Sequence, residues 1–265
     1  MMRSGDLRET SEYVKRKHHY LRRYCNMVAT AMKGKWHTLY MDVMAGPGEC
    51  LIRETGETCD GSPLVALQAS TAFSEYWFCE QDKSQAESLR SRVLERFPAA
   101  PATVVQGDWR QTEIWPKSLY SSRTLALAFI DPTGVSQVPW EAVKRLSGLP
   151  ARMDILLTLQ HGMGVRMNIP HYLGSEDETA LDRFLGTDVW RDRVRHGEDG
   201  TIVVFEMYCE QMRKLGFRTA EWQPVRISTG AVLYHVCFFS RHERGMDFWR
   251  KAVQIDESGQ RTLDF

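Results

Sequence analysis

Tyr40-Met41-Asp42-Val43-Met44-Ala45-Gly46-Pro47-Gly48 follows an apolar stretch and reads as the end of a parallel strand entering a glycine turn. Asp42 sits late on that strand, and the two glycines let the backbone bend closely around a ligand where a Cβ would intrude. Ligands of open α/β sheets gather beyond the carboxyl ends of the strands. The turn therefore marks one tip of a binding cleft, unless its glycines serve the backbone alone, and the order of features along the chain decides between these readings.

Three further strand tips carry suitable residues. Tyr76-Trp77-Phe78-Cys79-Glu80 is an apolar run closed by an acid, and a carboxylate there can accept hydrogen bonds from both ribose hydroxyls of a nucleoside. A simpler role for Glu80 is to neighbour the start of the next helix. That helix is expected from about Lys83 to Arg96, with Leu89, Val93, Leu94 and Phe97 on one side. The strand Ala102 to Gln106 then closes with Gly107-Asp108-Trp109, where Asp108 can accept the exocyclic amine of adenine and Trp109 can cover the ring. Leu125 to Ile130 is a continuous apolar run, as expected of a central strand buried on both faces. It ends in Asp131-Pro132-Thr133-Gly134, which makes Asp131 a candidate ligand of substrate or cofactor.

The remaining elements complete an α/β pattern. Arg8 to Lys33 has helical composition, with an apolar side and a basic cluster of Lys15, Arg16, Lys17, His18, His19, Arg22 and Arg23. This cationic face either meets a nucleic acid or acidic partner or only solvates the helix. Glu49 to Gly61 reads as a polar loop, and Ser62-Pro63 as the start of a helix reaching about Ser70, with Ser62 capping it. Asp154 to Gln160 forms the fifth strand, with His161 at its tip as a general base or as a loop cap. Residues 163–200 read as a long insertion of the kind that serves as a lid or substrate element, with Arg166, Asn168 and His171 as possible contributors. A helix over Thr201 to Leu215, an antiparallel pair over Phe217 to Ile227 and Ala231 to Ser240, and a helix around Arg244 to Val253 finish the chain. We expect a basic amphipathic helix over residues 1–34 and an α/β domain over 35–265.

Composition bounds the possibilities. A chain of 265 residues, 43% hydrophobic, can bury one large core. Formal net charge is +0, so whole-molecule electrostatics give no general attraction to nucleic acid or membrane. No stretch reaches the roughly 18 apolar residues of a membrane span, and the polar N-terminus does not resemble a secretory signal, so a cytoplasmic location is expected. The six cysteines form no C-x-x-C pair and the histidines no ligating pattern, so no metal is assigned. Cys79 and Cys237 are expected as buried strand residues. Cys50 and Cys59 flank the polar loop within reach of each other, and in a reducing compartment both are expected as free thiols. The absence of G-x-G-x-x-G disfavours a dinucleotide-dependent oxidoreductase.

The form D-x-x-A-G-P-G at Asp42 to Gly48 resembles the first strand end of many S-adenosylmethionine-dependent methyltransferases. Together with Tyr13, Lys15 and Tyr20, Gly61-Ser62-Pro63-Leu64, Glu80 and Phe129-Ile130-Asp131-Pro132-x-Gly134, it is similar to the three-Cys-motif partner proteins over about the first 160 residues. The three cysteines of that name belong to a partner protein, not to this chain. The resemblance implies a Rossmann-like class I methyltransferase fold: a seven-stranded, mostly parallel sheet with helices on both faces and a terminal antiparallel hairpin. It further implies S-adenosylmethionine as cofactor, held by Asp42, Ala45, Gly46, Pro47, Gly48, Glu80, Asp108, Trp109, Asp131 and Pro132. Asp131 and His161 would be the catalytic candidates, acting on a nucleobase, a nucleoside-like molecule or another small acceptor. The alternative is a non-catalytic methyltransferase-like protein that docks a three-Cys-motif protein or a nucleic acid.

Overall fold

The computed structural model describes residues 7–160, 165–219, 222–256 and 259–260. In chain order its strands and helices are β1 (Arg8–Thr10), α1 (Val14–Met32), β2 (His37–Asp42), β3 (Glu49–Ile52), β4 (Thr58–Asp60), α2 (Ser62–Leu67), β5 (Glu75–Glu80), α3 (Lys83–Arg96), β6 (Ala102–Gln106), β7 (Thr124–Ile130) and α4 (Trp140–Ser147). They continue with β8 (Arg152–Gln160), α5 (Ile169–Leu173), α6 (Ala180–Leu185), α7 (Trp190–Arg195), α8 (Gly200–Lys214), β9 (Arg218–Thr219), β10 (Gln223–Arg226), β11 (Val232–Ser240) and α9 (Glu243–Val253). The main sheet runs β10-β11-β8-β7-β2-β5-β6, with the short β9 pairing β11. β2 is parallel to β5 and β7, β5 is parallel to β6, and β10 is antiparallel to β11. Numbered along the chain, these seven strands lie in the order three-two-one-four-five-seven-six. This is the Rossmann-like topology of class I methyltransferases, with its terminal antiparallel hairpin.

The chain divides into two compact units. The first comprises Met1–Ile130, Pro150–Ile155 and Glu243–Phe265. Its centre is β2, buried from Thr38 to Asp42, because a strand flanked by parallel neighbours under helices meets no water on either face. Tyr40, Phe73, Tyr76 and Phe78 pack mostly edge to face around it, with ring centroids 5.6 to 6.3 Å apart. On α1, Tyr20 and Tyr24 meet the ring of Trp249 on α9 at 6.1 and 6.2 Å, and the buried Tyr24 hydroxyl donates to Asp154 at 2.7 Å.

The basic cluster on α1 is largely occupied within this unit. Arg23 donates to the carbonyls of Ala252 and Lys251 at 2.8 and 2.9 Å, at the end of α9 where helix carbonyls lack partners, and His19 lies 2.9 Å from the Ile255 carbonyl. Arg22 reaches Gln68, Lys15 pairs with Glu57, and Lys17 and His18 are buried.

Four local expectations are corrected. The first residues of the expected leading helix form a strand, β1, which pairs in parallel with β3. The expected loop over Glu49 to Gly61 is instead the β3–β4 hairpin, and the three strands form a small sheet in the order β1-β3-β4. Ser62 does not cap α2. The extended Gly61 occupies that position, fixed by its own amide donating to the Gly48 carbonyl at 2.7 Å, while Ser62 is the first helical residue. Leu94 is 64% exposed: the buried stripe of α3 is Ala86, Leu89 and Val93, and a residue one step beyond Val93 turns about 100° away from it.

The second unit comprises Asp131–Leu149 and Leu156–His242. Trp140 of α4, Phe184 of α6 and Phe239 of β11 surround Tyr208 of α8, with Phe184 stacked on it at 4.6 Å. The insertion folds into α5, α6 and α7, held by Asp182. This buried carboxylate accepts the Thr179 amide at 2.6 Å, the Trp190 indole at 2.7 Å and Arg191 at 2.5 Å. Arg191 also donates to the Ser175 and Asp177 carbonyls, which ties the loop before α6 to α7.

Candidate functional site

In the first unit, backbone hydrogen bonds gather three strand ends. The Ala45 amide donates to the Cys79 carbonyl at 2.9 Å, and the Gly107 amide to the Glu80 carbonyl at 2.9 Å. Glu80 itself takes the Gly46 amide on one carboxylate oxygen and the Asp82 amide on the other, both at 2.8 Å. Ala45, Gly46, Pro47, Gly48, Glu80, Asp108 and Trp109 thus meet at the carboxyl ends of β2, β5 and β6. Glu80 borders the start of α3, whose cap is Asp82, and its carboxylate also accepts from the glycine turn.

The turn requires its glycines. Gly46 and Gly48 have φ of +65° and +89°, a region that strains residues bearing a Cβ. A Cβ on Gly48 would lie 2.9 Å from a Leu89 methyl, and one on Gly61 would lie 3.0 Å from the Gly48 carbonyl oxygen. The turn, the hairpin and α3 therefore interlock. Arg92 reinforces them by donating to the Pro47 carbonyl at 2.6 Å and pairing with Glu49 at 2.9 Å.

Asp42 is fully buried beneath the turn, its oxygens 3.3 Å from the Met44 amide and 3.4 Å from the Tyr40 hydroxyl. Asp108 is gripped by Arg110, whose Nε lies 2.8 and 2.9 Å from its two oxygens. This hydrogen bonding, partly opposed by burial, holds the Asp108 carboxyl below the usual carboxylate range. Trp109 is buried, and its carbonyl accepts the Trp115 indole at 2.6 Å.

Two residues at the turn were not identified as site residues from the sequence. The Cδ and Nη1 atoms of Arg8 lie 3.7 and 3.9 Å from the Cβ position of Gly46, and the Gln85 side-chain oxygen lies 4.0 Å from it. Both side chains are long and flexible, and together they roof a turn whose residues Ala45 to Gly48 are buried. The Arg8 side chain makes no hydrogen bond or ion pair among the described residues. A three-residue polar strand has no period to detect, so only the β1–β3 pairing reveals its position.

In the second unit, Asp131 and Pro132 are buried. Gln160, the last residue of β8, donates to the Pro132 carbonyl at 3.3 Å, and Gln137 accepts both the amide and the hydroxyl of Thr133, at 2.7 and 3.1 Å. Arg166 and His171 are exposed, and Asn168 stands at the start of α5. His161 lies outside the described residues. No cluster of three or more potential metal ligands occurs among the described residues, and none of the described helices is long and apolar enough to cross a membrane.

No family model and no curated protein matches the chain. Among solved structures, protein LPL1258 from Legionella pneumophila aligns over 94% of both chains at 10% identity, with a TM-score of 0.51. That likeness supports the fold alone. Two looser alignments are Trm1 from Pyrococcus horikoshii in complex with S-adenosyl-L-methionine and magnesium protoporphyrin IX methyltransferase from Synechocystis with bound SAH. The first has 11% identity, 94% of this chain, 62% of that chain and a TM-score of 0.48; the second has 10% identity, 84% of each chain and a TM-score of 0.43.

Proposed function

We propose that the protein is an S-adenosylmethionine-dependent methyltransferase acting on a nucleobase, a nucleoside-like molecule or another small acceptor. The observation that carries this reading is the glycine turn, with Glu80 bonded to its Gly46 amide and the Arg8 guanidinium over its face. The donor set fits the cofactor. Glu80 retains lone pairs for ribose hydroxyls, Trp109 offers an apolar neighbour for adenine, and the Asp108 carboxylate, although paired with Arg110, has lone pairs left for the adenine amine. Arg8 supplies the cation that an amino-acid carboxylate requires.

When bound, the cofactor supplies an electrophilic methyl group on a sulfonium. The protein contributes alignment and exclusion of water, which can lower the barrier without covalent participation. Asp131, directly after β7, is assigned to the acceptor, whose amino or hydroxyl hydrogen its carboxylate can hold. Asp131→Ala is expected to retain cofactor affinity and to lose transfer of a labelled methyl group. Loss of affinity in that variant would remove Asp131 from the acceptor side. Absence of transfer to any nucleoside or nucleobase by the unaltered protein would favour the non-catalytic reading.

Arg8 gives a sharper binding test. Arg8→Ala is expected to weaken S-adenosylhomocysteine binding in calorimetry by roughly 10- to 100-fold, as for loss of a hydrogen-bonded charge pair. Affinity for 5′-methylthioadenosine, which lacks the carboxylate, should stay unchanged. Equal losses for both ligands would place Arg8 elsewhere in the site.

A further inference from the structure

The β3–β4 hairpin sets two thiols side by side. Cys50 and Cys59 are direct cross-strand partners in its antiparallel register. The amides of Gly61 and Ile52 donate to the carbonyls of Gly48 and Glu57, so by the alternation of an antiparallel ladder Cys50 and Cys59 occupy a hydrogen-bonded pair. The Cα atoms of such pairs are about 5.5 Å apart, within the span that a disulfide bridges. Both cysteines are free thiols.

The two differ in access. Cys50 is 7% exposed, whereas Cys59 is half-buried on β4, an edge strand of the small sheet. The adjacent Cys50 thiol, as a proton donor toward Cys59, and the nearby Lys15 ammonium bring the Cys59 thiol down to about 7 against the opposing effect of its partial burial. Serving as the donor toward Cys59 is what raises the Cys50 thiol, with burial acting in the same direction. The other four cysteines are buried, and burial pushes each thiol up, Cys209 to about 11 and Cys79 to about 12. A nucleophilic thiolate beside a protonated resolving thiol is the arrangement that exchange with a small disulfide uses.

We propose that Cys50 and Cys59 form a thiol–disulfide exchange site whose reactant is a small-molecule disulfide of the glutathione type. The Cys59 thiolate sulfur attacks one sulfur of the small disulfide; its S–S bond breaks, and the first small thiolate leaves and takes a proton from solvent. The Cys50 sulfur then attacks Cys59 in the mixed disulfide. The Cys50 proton passes to the second departing small thiol, and the Cys50–Cys59 bond closes across the hairpin. The two protein thiols lose two electrons, which reduce the small disulfide to two thiols, and excess small thiol reverses the sequence.

The test uses the full chain with oxidised glutathione, followed by thiol counting and peptide mapping. The unaltered protein is expected to lose two of its six thiols and to yield one cross-linked peptide joining Cys50 to Cys59. Cys50→Ser should halt with one glutathione on Cys59, and Cys59→Ser should leave Cys50 unmodified over the same time. Retention of all six thiols, a cross-link elsewhere, or modification of Cys50 in Cys59→Ser at the wild-type rate would overturn the assignment. The mapping of the unaltered protein decides the matter even if a variant does not fold.

Discussion

Asp182→Ala is expected to lower the stability of the second unit by about 3–5 kcal/mol, the cost of stripping one partner from a buried ion pair. The cause is what remains behind. Arg191, the Trp190 indole and the Thr179 amide all donate to this carboxylate, and the surrounding burial gives them no water in exchange. Chemical denaturation of the variant should show an earlier transition, and proteolysis should begin within residues 175–195. An unchanged transition midpoint would mean that the insertion is held by its apolar contacts instead.

The same carboxylate gives a pH signature. Burial opposes its ionisation, but hydrogen bonds from Arg191, Thr179 and Trp190 outweigh that effect and hold it down at about 2. A carboxyl group depressed in the folded state contributes stability that is complete above its unfolded value, near 4, and is lost as pH falls through the folded value. Acid unfolding of the native protein should therefore steepen between about pH 4 and pH 2, and Asp182→Ala should lack that component.

Gly48→Ala should cost about 2–5 kcal/mol, since it combines a side chain at φ of +89° with a Cβ 2.9 Å from the Leu89 methyl. Gly56→Ala is the control. Its φ of +71° is similar, but a Cβ there meets nothing within 4 Å, so only the backbone cost of roughly 1 kcal/mol applies. Equal midpoints for the two variants in denaturant would show that packing between the turn and α3 carries no weight.

The order of parallel strands was legible because long apolar runs closed by polar tips survive any context. Lys83–Arg96 and Ala102–Gln106 agree with the expected α3 and β6, and Ile130 ends β7 where Asp131-Pro132 required. The small sheet was hidden for a physical reason. Its strands have only three or four residues, too few to show a period, and the β1–β3 pairing joins residues 42 positions apart. Arg8 was lost with it. The same limit applies to the basic helix: charge composition shows that α1 is cationic, but only the structure shows that Arg23 meets the last carbonyls of α9 and His19 the Ile255 carbonyl just beyond it.

The contact between α1 and α9 also constrains when the protein can mature. Helix α9 is synthesised more than 200 residues after α1, yet the first unit needs both to bury Trp249 and to shelter Tyr24. Each polypeptide must therefore wait on the ribosome with that apolar face of α1 open, a period in which chaperones have their natural opportunity to bind.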